Sequence, residues 1–210
     1  MSRARAAKHR EENEIEFSRI VAFSDGVFAI AITLLVLNLG VPDHIRNDDL
    51  AQVLLRQWQD VFAYALSFAV IGRFWLVHHR FFGEVTAFDG RLIALNLFYL
   101  AWIVLIPFSS QVLGDHGSDA AAVVLYSINL SGVVLSGVLM FGDAQRSGLA
   151  RTSPEEFRAN RDRALRIAAV FLASIPVALL VNPRLAPWFW LALFAGPAAG
   201  RLYRSRRDVA

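Results

Sequence analysis

The chain has 210 residues, of which 56% are hydrophobic and only 19% charged, against about 45–50% and about 25% in an ordinary soluble domain. It has no cysteine, which excludes disulfides, thiolate metal sites and cysteine nucleophiles. The net charge of +3 rests on arginines, Lys8 being the only lysine; they flank apolar runs, a pattern that argues for a membrane and against nucleic acid.

Residues 1–18 are polar and mixed in charge, and read as a cytoplasmic helix or tail with no cleavable leader. A first apolar span is expected from Ile20 to Val41, ended by Pro42 and the acids Asp43, Asp48 and Asp49. A second helix starts near Leu50, is apolar from Val61 to Val77, and is expected to stop in the cluster His78-His79-Arg80. The third span covers Leu92 to Leu113, with Asn96 inside it and Pro107 near its far end, before a tight turn at Gly114-Asp115-His116-Gly117. The fourth covers Ala120 to Phe141. In the charged stretch that follows, Ser153-Pro154-Glu155-Glu156 predicts a helix start, with serine as cap and proline at the first helical position. The fifth span, Ile167 to Val181, ends at Asn182-Pro183, and the sixth runs from Pro187 to Leu202.

Charge then orients these spans. Assigning the connections alternately to two sides puts 18 of the 21 basic residues on one side and only Arg46, Arg56 and Arg184 on the other, which also carries six acids. The positive-inside rule makes the arginine-rich side cytoplasmic. Both termini then face inward, which needs an even number of spans. The expectation is an all-α, multi-pass, six-helix bundle in the cell membrane, with membrane lipids around it. No internal repeat accompanies it.

The first span carries the most information. Asp25 lies within the apolar run or at its inner edge, where an acid must be paired or face a polar interior. Arg73, His78, His79 and Arg80 are the expected partners, and either a structural ion pair or a role in permeation fits. Ile30, Leu34 and Leu37 fall at i, i+4 and i+7 and form one stripe, flanked by Val27 and Thr33. Alone, such a stripe most often faces lipid or packs in a bundle.

Arg19-x-x-x-Phe23-Ser24-Asp25 followed by GVFAIAITLLVL closely resembles the signature of the transmembrane-175 potassium channel family. The segments FWLVHHRFF and NLFYLAWIVLIPFSS are also similar to the family's pattern, so the resemblance covers residues 19–110. It implies a homotetramer of six-helix subunits around a central pore lined by the first helix. The domains become an N-terminal segment (1–18), a channel domain (19–203) and a basic tail (204–210). The resemblance also implies a constriction of Ile30, Leu34 and Leu37. Thr33, Val27 and Asn38 are further pore-lining candidates. Arg19, Phe23, Ser24 and Asp25 would tie the pore helix to its neighbours near the cytoplasmic side, with His78, His79, Asp89 and Asn96 as partners.

Stacked aliphatic rings hold water poorly and gate by dewetting. A neck that forces partial dehydration favours potassium over sodium, and the chain lacks the Thr-Val-Gly-Tyr-Gly loop that builds a carbonyl filter. The expected function is therefore a modestly selective potassium channel that passes other monovalent cations and needs no cofactor. A proton-coupled transporter or proton pathway using Asp25 and a histidine is the alternative. No catalytic constellation, nucleotide-binding motif or metal-ligand spacing appears, and adjacent His78 and His79 point about 100° apart on a helix, which disfavours a shared metal.

Overall fold

The computed structural model describes residues 2–39, 58–186, 188 and 190. Among the described residues six α-helices follow in order: α1 Ser2–Leu34, continued by a 3-10 turn Leu35–Asn38; α2 Trp58–Glu84; α3 Gly90–Val104; α4 Ile106–His116; α5 Ala120–Arg146; and α6 Pro154–Leu180. A second 3-10 turn, Pro183–Leu185, follows α6.

Four described stretches are long and apolar enough to cross a membrane: Ile15–Leu37, Gly90–His116, Ala120–Arg146 and Pro154–Leu180. The third expected span is thus two helices in line. The break falls at Leu105, because Pro107 has no N–H to give Ile103 and its ring crowds that carbonyl. Ser109 restores bonding beyond the break, its N–H donating to the Leu105 carbonyl at 3.0 Å and its hydroxyl to that of Ile106 at 3.1 Å.

Several boundaries differ from the sequence expectation. The second helix runs through His78-His79-Arg80 to Glu84, because His78 is taken inside by Asn96, Phe28 and Tyr99 of neighbouring helices while His79 and Arg80 stay on its exposed face. The helix α4 continues to His116, so the turn is confined to Gly117-Ser118. The fourth span extends to Arg146. The charged segment and fifth span form one continuous helix, α6. The expected sixth span lies almost wholly outside the described residues, as do Pro42, Asp43, Asp48 and Asp49.

Polar residues fix the helix ends where the sequence places them. Ser153 Oγ accepts from Glu156 N–H at 3.2 Å, and Pro154 occupies the first turn. Asp89 accepts from Leu92 N–H and Asp119 from Ala121 N–H, both at 2.8 Å. Each such cap is worth about 1 kcal/mol. The end of α5 is closed by Gly148 at φ +67°, with Leu149 N–H donating to Ala144 O at 2.9 Å. Only glycine takes that left-handed position without strain.

The helix α5 lies at the centre of the packing, against α3, α4 and α6, while α1 packs on α2, α3 and α4. Phe28, Leu35, Ile71, Leu92, Ile103, Leu130 and Met140 belong to one buried core. At one end of the bundle the α2–α3 and α5–α6 connections are stapled together. Val85 and Ala150 form an antiparallel bridge, Thr86 N–H donates to Leu149 O at 2.8 Å, and Arg151 N–H donates to Glu84 O at 2.9 Å. Phe81 stacks on Phe141 at 4.0 Å beside this staple.

Candidate functional site

The first helix has two unlike faces. Ser24, Phe28, Ala31 and Leu35 recur at steps of four, three and four residues and are all buried. They hold α1 against the rest of the subunit. The stripe on another face is left open: Ile30 is 61% exposed, Leu34 39% and Leu37 73%. Phe23, one to two turns nearer the N-terminus, is 56% exposed on the same side. Val27 is half-buried at its edge. Thr33 is exposed, but its hydroxyl donates to the Ile30 carbonyl at 2.9 Å and is satisfied within the helix. Asn38 ends the 3-10 turn, and its side chain lies outside the described residues.

On the buried face the polar groups form a chain of hydrogen bonds across three helices. Asn96 Nδ2 of α3 donates to Ser24 Oγ of α1 at 2.9 Å, and Ser24 Oγ donates to the Ile20 carbonyl at 2.9 Å. The Asn96 carbonyl oxygen lies 2.8 Å from His78 Nε2 of α2. With the amide so oriented, Nε2 carries the proton. Ser24, His78 and Asn96 are almost fully buried, and leaving any of them unpartnered costs about 1–3 kcal/mol. Aromatic rings enclose the imidazole: Phe82 at 4.6 Å, Phe28 at 5.3 Å and Tyr99, stacked on it, at 5.5 Å.

Asp25 belongs to a different system. Its Oδ1 accepts from the indole N–H of Trp75 at 2.8 Å, and Trp75 in turn stacks on His79 at 5.3 Å. The expected partners Arg73, His79 and Arg80 are exposed, and His78 is engaged with Asn96. A neutral indole satisfies the carboxylate without the desolvation of a second charge, which explains why it takes the place expected for a cation. The signal was present in the sequence, since Trp75 is a donor lying one turn from His78-His79; a belt role for tryptophan hides it.

The remaining signature residues stand apart from both systems. Asp89 caps α3. Arg19 and Phe23 make no bond to either system, but line an open cleft between α1 and α3 with Glu16, Ile20, Ile93, Leu97 and Asn96 itself. Among the described residues no group of three or more His, Asp and Glu side chains converges to hold a metal ion.

With this geometry in view, the chain can be set beside known proteins. The family model described as "Endosomal/lysosomal potassium channel TMEM175" matches residues 19–107. A protein of Streptomyces collinus named as a potassium channel is 38% identical over 63% of this chain, a match spanning 66% of that protein's length. The crystal structure of a homologue from Chamaesiphon minutus, described as a lysosomal potassium-selective channel TMEM175 homolog, is 30% identical. It superimposes with a TM-score of 0.63, covering 85% of this chain and 98% of the other. A Gallus gallus protein named as an endosomal/lysosomal proton channel is 32% identical over 53% of this chain and 27% of its own length.

Proposed function

Because this chain belongs to the TMEM175 family, whose members are channels and not enzymes, we propose that it forms a potassium-permeable channel in which copies of α1 surround a shared axis. The reading that fits best is a homotetramer of six-span subunits in the cell membrane, termini inside, with α2 as the second span and the stretch from about Pro187 as the sixth. Ile30, Leu34 and Leu37 of each copy make the narrowest, apolar part of the path. Thr33, Val27 and Asn38 border it, and the Ser24–Asn96–His78 and Asp25–Trp75 systems hold each α1 in register against its own subunit.

One observation carries the proposal. The helix α1 is anchored by a narrow buried stripe, while its aliphatic stripe is left uncovered by its own chain. Its neighbour in sequence space, the crystallised Chamaesiphon homologue, is described as potassium-selective. A dehydrating neck without carbonyl oxygens gives modest preference for potassium over sodium.

The absence of native cysteine supplies the test. Single cysteines replace Ile30, Leu34 or Leu37, and a water-borne thiol reagent is applied to channels in liposomes. Block of potassium flux at these positions, with no block from a cysteine at Leu172 or Leu179 on exposed α6, is the expected result. Unmodified cysteines at all three stripe positions, with flux intact, would overturn the assignment of α1 to the axis.

A further inference from the structure

The exposed stripe of α1 does not stop at Ile30. Read toward the N-terminus it continues through Gly26, Phe23, Arg19 and Glu16, each step three or four residues, so all fall on one side of the helix. The buried stripe likewise continues to Phe17, which packs on Phe82 and Phe88 at 6.0 and 5.9 Å. The division into two faces therefore holds along the whole span Ile15–Leu37. Arg19 and Glu16 are both exposed, and neither is in an ion pair among the described residues, where Arg91–Asp143 and Arg161–Asp162 are the pairs that form. Arg19 borders the same α1–α3 cleft as Asn96 but makes no hydrogen bond to the Ser24–Asn96–His78 chain, although it opens the same sequence motif.

We infer that Arg19 and Glu16 form two stacked rings of opposite charge at the mouth of the pore on the N-terminal side of α1, and that they make conduction sided. This rests on the reading that α1 lines the axis. Four guanidinium groups, set just outside the Phe23 level, raise the energy of a cation approaching the aliphatic neck from that side. Four carboxylates one turn further out concentrate cations in front of the barrier. Rings of charge act in this way because a low-dielectric wall focuses their field into the opening. Potassium arriving from the other side meets the neck first, so the two directions of current feel the rings differently. The effect is electrostatic and must fade with salt, since the Debye length falls from ~10 Å at 0.1 M to ~3 Å at 1 M.

The test is made on the assembled channel in planar bilayers. Cysteine replaces Arg19, and current–voltage curves are taken at ~0.1 M and ~1 M potassium before and after a positively or a negatively charged methanethiosulfonate. Arg19→Cys should raise current entering from the α1 N-terminal side about tenfold at low salt, the lower end of electrostatic steering, and change it little at high salt. The positive reagent should return the curve toward wild type, and the negative one should drive it further away. If Arg19→Cys does not assemble, Glu16→Cys carries the same measurement with the opposite sign: current falls, and the negative reagent restores it. Equal effects of the two reagents, or effects that persist at ~1 M salt, would overturn the inference. Thiol block at Leu34→Cys, run in parallel, separates the cases. Block with charge-blind rings sinks only the mouth; no block sinks the pore assignment beneath it.

Discussion

Two long apolar helices of this molecule are built in opposite ways. In α5, 61% of the membrane-spanning window is buried within its own chain; in α1 only 22% is. The helix α5 is pressed on by α3, α4 and α6, and carries buried Ser127, Asn129, Ser131 and Ser136 together with Gly132, over which the Trp102 ring lies. Small residues let helices approach where lipid offers no hydrophobic drive. The helix α1 keeps one narrow anchoring stripe and leaves the rest uncovered. A helix that completes a subunit thus differs from α1 and from α6, the latter buried to the same 22%, whose other faces are left open.

Substitutions break or sharpen that contrast. The largest effect is expected from Gly132→Leu. Even a single added Cβ would sit 2.5 Å from Trp102 ring atoms, and overpacking costs about 1–3 kcal/mol, occasionally more; with a whole leucine side chain to place, melting of detergent-purified protein should drop sharply. Asn96→Leu comes next, at about 2 kcal/mol, because His78 Nε2 and Ser24 lose their shared partner in an apolar core. The same melts, with size-exclusion profiles, measure it. Gly26→Ala should matter less. An added Cβ meets nothing within 4 Å inside the subunit, so stability of the isolated subunit should hold or rise by about 0.5–1 kcal/mol. Weakened assembly on crosslinking gels would mean that another copy packs there. Leu34→Asn should move stability least, within about 0.5 kcal/mol as for an exposed site, yet raise potassium flux and lower the potassium-over-sodium ratio. A large loss of stability from Leu34→Asn would erase the proposed difference between the two helices.

Much of this was legible in the residues. Periodicity located the helices, and Ser153 caps where helix-start chemistry puts it, while the capping by Asp119 and Asn182 emerges only in the structure. The signature pointed to Ser24, and Asn96 and His78 stood out as polar groups in apolar runs. What periodicity does not encode is which side chains meet between helices. Hence Trp75 rather than a cation on Asp25, Trp102 over Gly132, and the ring cage of Phe28, Phe82 and Tyr99 around His78 appear only in three dimensions. The overrun of α2 to Glu84 has the same origin. His78-His79-Arg80 reads as a membrane boundary by composition, but His78 is internal once Asn96 receives it.

The staple between the Thr86 and Leu149 connections gives the bundle a mechanical property. Two corners of the chain more than 60 residues apart in sequence are joined by main-chain bonds, which among single substitutions only proline at Thr86 or Arg151 would remove directly. The arginine-bearing start of α6 is thereby levered onto α2. The end of α2, the helix that holds His78, and the start of α6 are thus expected to shift together rather than separately.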